Sequence, residues 1–150
     1  PVTSQTVVEI PQVNNNTGGG NVPPVTDGNV NVPPVVVDNS LPIVTGFTLI
    51  NADTNQPIGA LPNGATISLS QLPTRNINVR ADISGNVHQV EVSANGDTFL
   101  ELGAPYSIWR DDEGNYHNAN LTAGQYTLSA TPILNGQAGQ GMTITITVVD

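Results

Sequence analysis

Three carboxylates and an amide stand together in Asp111-Asp112-Glu113-Gly114-Asn115. Oxygen donors at this density suit a hard divalent cation such as calcium. The spacing matches no EF-hand loop, however, and acidic residues around a glycine also make an ordinary solvated hairpin turn. The turn is the first expectation, and calcium on Asp111, Asp112 and Glu113 is the alternative. Tyr106 and Trp109 lie just upstream of this run and Tyr116 just downstream. A flat aromatic face with polar neighbours stacks on a sugar ring, so these three are candidate glycan contacts. The competing reading buries Trp109 in a core, where the single Trp of a β-sandwich commonly packs.

Catalytic constellations are missing from the rest of the chain. His88 and His117 are its only histidines, neither has a triad partner at a recognisable spacing, and the alternation around His88 places it on a surface. No serine sits in a Gly-x-Ser-x-Gly elbow. Glu91, Asp97 and Glu101 could form a glycosidase-type carboxylate pair only if the fold happened to align them. Without a paired acid and nucleophile the chain reads as a non-enzyme. Cysteine is absent, which removes disulfides, thiolate metal sites and thiol nucleophiles. Twelve acidic residues against three arginines and no lysine give a formal charge of −9, which repels nucleic-acid phosphates and anionic membranes. No apolar run is long enough for a membrane helix.

The elements that must position these residues read as strands. From Ile43 onward, short alternating segments are separated by turn residues at the spacing of a β-sandwich. Strands are predicted over Ile43–Asn51, Ala65–Ser70, Arg75–Ile83, Val87–Ala94, Tyr106–Asp111, Gly124–Thr131 and Met142–Val149. In the third, Ile77, Val79, Ala81 and Ile83 alternate with Asn76, Asn78, Arg80 and Asp82, which assigns the first set to the core and the second to water. In the last, Met142, Ile144, Ile146 and Val148 alternate with threonines. Asn95-Gly96 and Asn135-Gly136 tolerate the positive φ that tight reversals need.

Residues 1–42 differ in kind. Val, Pro, Asn, Gly and Thr dominate, and Asn14–Gly20 is a run of Asn, Thr and Gly. This reads as an extended arm or linker preceding a domain over residues 43–150. Asn21-Val22-Pro23-Pro24-Val25 is repeated as Asn31-Val32-Pro33-Pro34-Val35, and paired prolines favour extended backbone. Val30, Val32, Pro34 and Val36 then share one face, and Val8 and Ile10 belong to a second β-prone stretch, Thr6–Ile10.

Gly124-Gln125-Tyr126-Thr127-Leu128-Ser129-Ala130-Thr131-Pro132 resembles the penultimate strand of bacterial immunoglobulin-like and fibronectin-like modules, followed here by Met142–Val149. Phe47–Thr54 and Ala104–Trp109 strengthen the likeness, which covers roughly residues 43–150. It implies an immunoglobulin-like antiparallel β-sandwich of about seven strands. It implies also that Tyr126, Leu128 and Ala130 face inward and that the Tyr126 phenol returns a hydrogen bond to nearby backbone, as a tyrosine corner does. Such modules accompany secreted polysaccharide-degrading enzymes, adhesins and surface fibres, so an extracellular or cell-surface location is expected, with a start at Pro1 read as a processed form or an excised piece.

Two functions fit this reading. In one, the chain is a filament or surface-fibre subunit that self-associates into a homopolymer by donating an arm strand, through Val8, Ile10, Val30, Val32 or Val36, to a neighbour. In the other, it is an accessory or spacer module that binds polysaccharide through Tyr106, Trp109 and Tyr116. Neither requires a cofactor.

Overall fold

The computed structural model describes residues 40–150, so the candidate donor residues Val8, Ile10, Val30, Val32 and Val36 lie outside the described part. The described residues form no helix, and hence none long and apolar enough to cross a membrane. Their strands are β1 (Ile43–Asn51), β2 (Gln56–Ala60), β3 (Thr66–Ser68), β4 (Ile77–Ser84), β5 (Gln89–Ala94) and β6 (Asp97–Glu101). The chain continues through β7 (Tyr106–Ser107), β8 (Asp111–Asp112), β9 (Asn115–Tyr116), β10 (Gly124–Leu134), β11 (Gln137–Ala138) and β12 (Met142–Val149).

One sheet has the order β2-β1-β4-β7 and the other β3-β12-β10-β5-β6, with β11 folded back on β10 and β8-β9 as a separate hairpin. All pairings of these strands are antiparallel except β3 with β12, which run parallel. Alternation explains the layering. Val44, Phe47, Leu49, Ile77, Val79 and Ala81 of the first sheet meet Val90, Val92, Leu128, Ala130, Ile144, Ile146 and Val148 of the second in one apolar cluster. Each such side chain contributes about 1.5–3 kcal/mol when taken from water, and with no cysteine to cross-link the chain this burial carries the stability. The result is a sandwich-like all-β domain, as the sequence pattern implies.

Both ends of the second sheet's central pair follow the alternation. Tyr126 is half-buried while Leu128 and Ala130 are buried, and the threonines between the apolar residues of β12 face outward. The Tyr126 phenol donates to the Thr122 carbonyl and accepts from the Thr122 N–H, each at 3.1 Å, fastening the loop before β10. Asn95 and Gly96, with φ of 51° and 92°, turn β5 into β6, and Asn135 and Gly136, at 50° and 78°, turn β10 into β11. These left-handed pairs supply the twist that a two-residue hairpin demands.

One expected face is overturned. Asn78, assigned to water by alternation, is fully buried, and Ile50, its partner across the β1–β4 ladder, is buried beside it. The outer face of the first sheet is covered here by a later part of the chain. Three short strands, β2, β9 and β11, and the edge strand β6 also lie outside the predicted set.

Candidate functional site

The cover over Asn78 is an excursion from Trp109 to Asn118. The chain leaves β4 where the Ile108 N–H bonds the Val79 carbonyl and returns where the Ala119 N–H bonds the Ile77 carbonyl, both at 2.8 Å. Asn78 lies between these two points. Its Nδ2 donates to the Arg110 carbonyl at 3.0 Å and the His117 carbonyl at 2.7 Å, while its Oδ1 accepts from the Trp109 N–H at 3.2 Å and the Val79 N–H at 2.7 Å. Every hydrogen-bonding position of the buried amide is thereby used, as burial in a low-dielectric interior requires. A local alternation cannot register this, because three of the four partners are 31 to 39 residues distant.

Beyond that neck the excursion closes as the β8–β9 hairpin. Glu113 and Gly114, with φ of 51° and 89°, form its turn, and the Gly114 N–H donates to Asp111 Oδ2 at 2.7 Å. Asp112 reaches the His117 imidazole at 2.9 Å. Asp111 and Asp112 thus have different partners and Glu113 gives its backbone to the turn, and among the described residues no three His, Cys, Asp or Glu side chains gather where they could hold a metal ion. Asn55, itself at φ 59°, accepts from the Tyr116 N–H at 3.0 Å and donates to Asn115, tying the β1–β2 turn to the hairpin.

The aromatic candidates are separated by the same excursion. Tyr116, in β9 of the hairpin, is 7% exposed, and burial raises its phenol above the ordinary value while Arg80 opposes the shift. Tyr106 is half-buried in β7 against the main core. Trp109 is also half-buried, but it faces a different surface. With Phe99, Tyr126, Ile108, Asn95 and Asp97 it lines an open cleft of about 260 Å³. Trp109 and Tyr126 meet edge to face at 6.4 Å between centroids, and the Arg110 guanidinium covers the Phe99 ring at 4.8 Å. Of the three aromatics singled out from sequence, only Trp109 lines this cleft.

One wall of the cleft belongs to β6. Among the described residues β6 pairs on one side only, with β5, which leaves its other row of backbone N–H and C=O groups open. Phe99 turns toward the cleft, whereas Leu100 stands 45% exposed and Leu102, just past the strand, 72% exposed. Opposite, β7 is only two residues long, so the first sheet ends early and the gap between the sheets is not closed there. Burial, reinforced by the nearby Asp111 carboxylate, raises the Glu101 carboxyl above its ordinary value, against the lowering effect of Arg110. The open edge therefore carries Phe99 and Leu100 beside Thr98 in its middle and is acidic at both ends, at Asp97 and Glu101. Sequence reasoning could have flagged this edge from Asn95-Gly96, whose turn must be followed by a strand.

Comparisons of the chain with protein-family models, with curated proteins and with solved structures gave no match.

Proposed function

We propose that this protein is a structural subunit of an extracellular filament or surface fibre, assembled when the N-terminal arm of one copy adds a strand to the sheet edge of the next. The observation that carries this reading is β6, an edge strand unpaired on one side among the described residues, with Leu100 exposed within it and Leu102 exposed just past it. An open apolar edge templates pairing with another chain, and soluble proteins usually blunt such edges with charge, proline or a covering element. Here the carboxylates stand at the ends of β6, with Thr98, Phe99 and Leu100 between them and the Arg110 guanidinium over the Phe99 ring. The body is an immunoglobulin-like sandwich on this reading. In support stand the facing β1-β4-β7 and β3-β12-β10-β5-β6 orders and the Tyr126 phenol bonded back to Thr122.

Strand addition supplies what the arm's side chains lack. Burying Val30, Val32 and Val36 yields roughly 1.5–3 kcal/mol each, whereas ordering ten arm residues costs on the order of 10 kcal/mol or more. Backbone pairing along β6 and a preformed groove offset the remainder. Donation from one copy to the next is a heterologous contact, and such contacts propagate instead of closing. Sedimentation velocity and electron microscopy over a concentration series test the proposal. Long polymers are expected from the intact chain and only monomers after deletion of residues 1–39, which spares the buried Pro42; a monomer at every concentration of the intact chain overturns it.

A further inference from the structure

We infer that the cleft beside β6 seats the apolar face of Asn29–Val37 from a second copy, so that this segment, and not Thr6–Ile10, is the donated strand. The inference rests on the strand-donation reading and specifies its partner surface. The cleft, at about 260 Å³, falls below the range of about 300–1,000 Å³ usual for small-molecule sites. It is bounded on one side by an open strand edge, the wall against which an added strand runs. Alternate side chains of such a strand drop toward one face. Val30, Val32, Pro34 and Val36 are all apolar and match the apolar part of the lining, Phe99, Ile108 and Trp109, which lies beside Asn95, Asp97 and Tyr126.

Charge separates the two candidate segments. The edge already carries Asp97 and Glu101, with Asp111 close to Glu101, and the guanidinium nearest to it, Arg110, lies over Phe99. From Gly28 to Val37 the sequence has no ionisable side chain, whereas Thr6–Ile10 places Glu9 between Val8 and Ile10. The second segment carries a carboxylate inside the donated stretch itself, one strand spacing from an acidic edge, whereas the carboxylates of the first, Asp27 and Asp38, stand outside it.

Length and proline placement act in the same direction. Pro42 is fully buried and its carbonyl is held by the Gln140 N–H at 2.9 Å, so the arm has a fixed root. Five Cα-to-Cα steps separate Val37 from that root, a reach of at most about 18 Å. A strand donated from Asn29–Val37 therefore holds successive bodies in close contact, while one donated from Thr6–Ile10 leaves them on a tether of about thirty residues. Successive residues of an extended strand aim their backbone groups to opposite sides. One proline of the Pro33-Pro34 pair then faces β6 and the other faces outward, where its missing N–H blunts the newly made edge against a further strand.

Trp109 is the chain's single Trp, so its emission reports on the cleft alone. The test compares the full-length chain with the double variants Val32→Asp/Val36→Asp and Val8→Asp/Ile10→Asp, each checked for an unchanged melting temperature. The intact chain is expected to show a blue shift of Trp109 emission that rises with polymer mass. Val32→Asp/Val36→Asp is expected to raise the concentration needed for polymers at least tenfold and to lose the shift, and Val8→Asp/Ile10→Asp to change neither. Polymers that form without any change in Trp109 emission, or that are lost in the Val8→Asp/Ile10→Asp variant, overturn the inference and leave strand donation standing. Absence of polymers from the intact chain overturns both.

Discussion

Replacing Asn78 by alanine removes the one side chain that joins β4 to both ends of the Trp109–Asn118 excursion. Four hydrogen bonds disappear, but the loss is smaller than four independent terms, because the Arg110 carbonyl still accepts from the His117 N–H at 3.1 Å. The groups left short of a partner are the His117 carbonyl and the Trp109 and Val79 N–H. An unsatisfied buried polar group costs about 1–3 kcal/mol, and relaxation of the excursion toward water lets some of them re-pair, so a loss of roughly 2–5 kcal/mol is expected. Asn78→Asp is expected to be worse at neutral pH. Its second oxygen replaces the donor that faces the Arg110 and His117 carbonyls, and its charge is buried. Such a carboxyl has a raised folded-state pKa, so this variant gains stability as pH falls through that raised value, whereas Asn78→Ala does not. Urea unfolding followed by Trp109 emission measures both, and amide hydrogen exchange at Trp109 and Val79 locates the damage. An Asn78→Ala protein within about 0.5 kcal/mol of the parent, the range of an ordinary surface substitution, would refute the claim that this amide holds the excursion.

Further outcomes follow from single sites. Ser107 is fully buried and its hydroxyl has no hydrogen-bond partner among the described residues, so Ser107→Ala is expected to be neutral or to stabilise by up to about 1 kcal/mol in urea unfolding; a clear loss would reveal a bond the hydroxyl makes. A Cβ at Gly139 would run into the Pro42 carbonyl, displacing the start of β1, and Gly139→Ala is expected to cost about 1–3 kcal/mol or more. Gly59→Ala, with open space around it, is the matched control and is expected to stay within about 0.5 kcal/mol of the parent. Asp53 accepts from Thr74 Oγ1 and Asn76 Nδ2, which hold its carboxyl below the ordinary value. Its contribution is present above the ordinary carboxylate range and lost as pH falls through the lowered folded value, so Asp53→Asn is expected to flatten the acid limb of the stability profile. Glu101, raised by burial, acts in the opposite sense: stability falls as pH rises from the ordinary value through the raised one, and Glu101→Gln is expected to remove that decline. Urea midpoints measured across the acid range distinguish the two, and an unaltered slope in either variant contradicts its assignment.

The sequence by itself determined the class of fold and its two best-defined strands. Ile43–Asn51 and Met142–Val149 were legible to the residue, and so were the inward faces of Leu128, Ala130, Ile144, Ile146 and Val148, because a half-buried strand writes its environment into a period of two. The hairpin at Asn95-Gly96 was legible too, since positive φ limits which residues stand there. Tertiary structure decided the rest. Asn78 is polar at a solvent-phase position of its strand, yet it is buried, because a segment more than thirty residues later crosses over it. β6 carries a weak alternation, and it is a strand because β5 offers it an edge. The same distant packing placed Trp109 beside Phe99 and Tyr126 and buried Tyr116 of the hairpin. Local spacing records which side of its own strand a residue faces; which part of the chain arrives to cover that side depends on contacts no local period encodes.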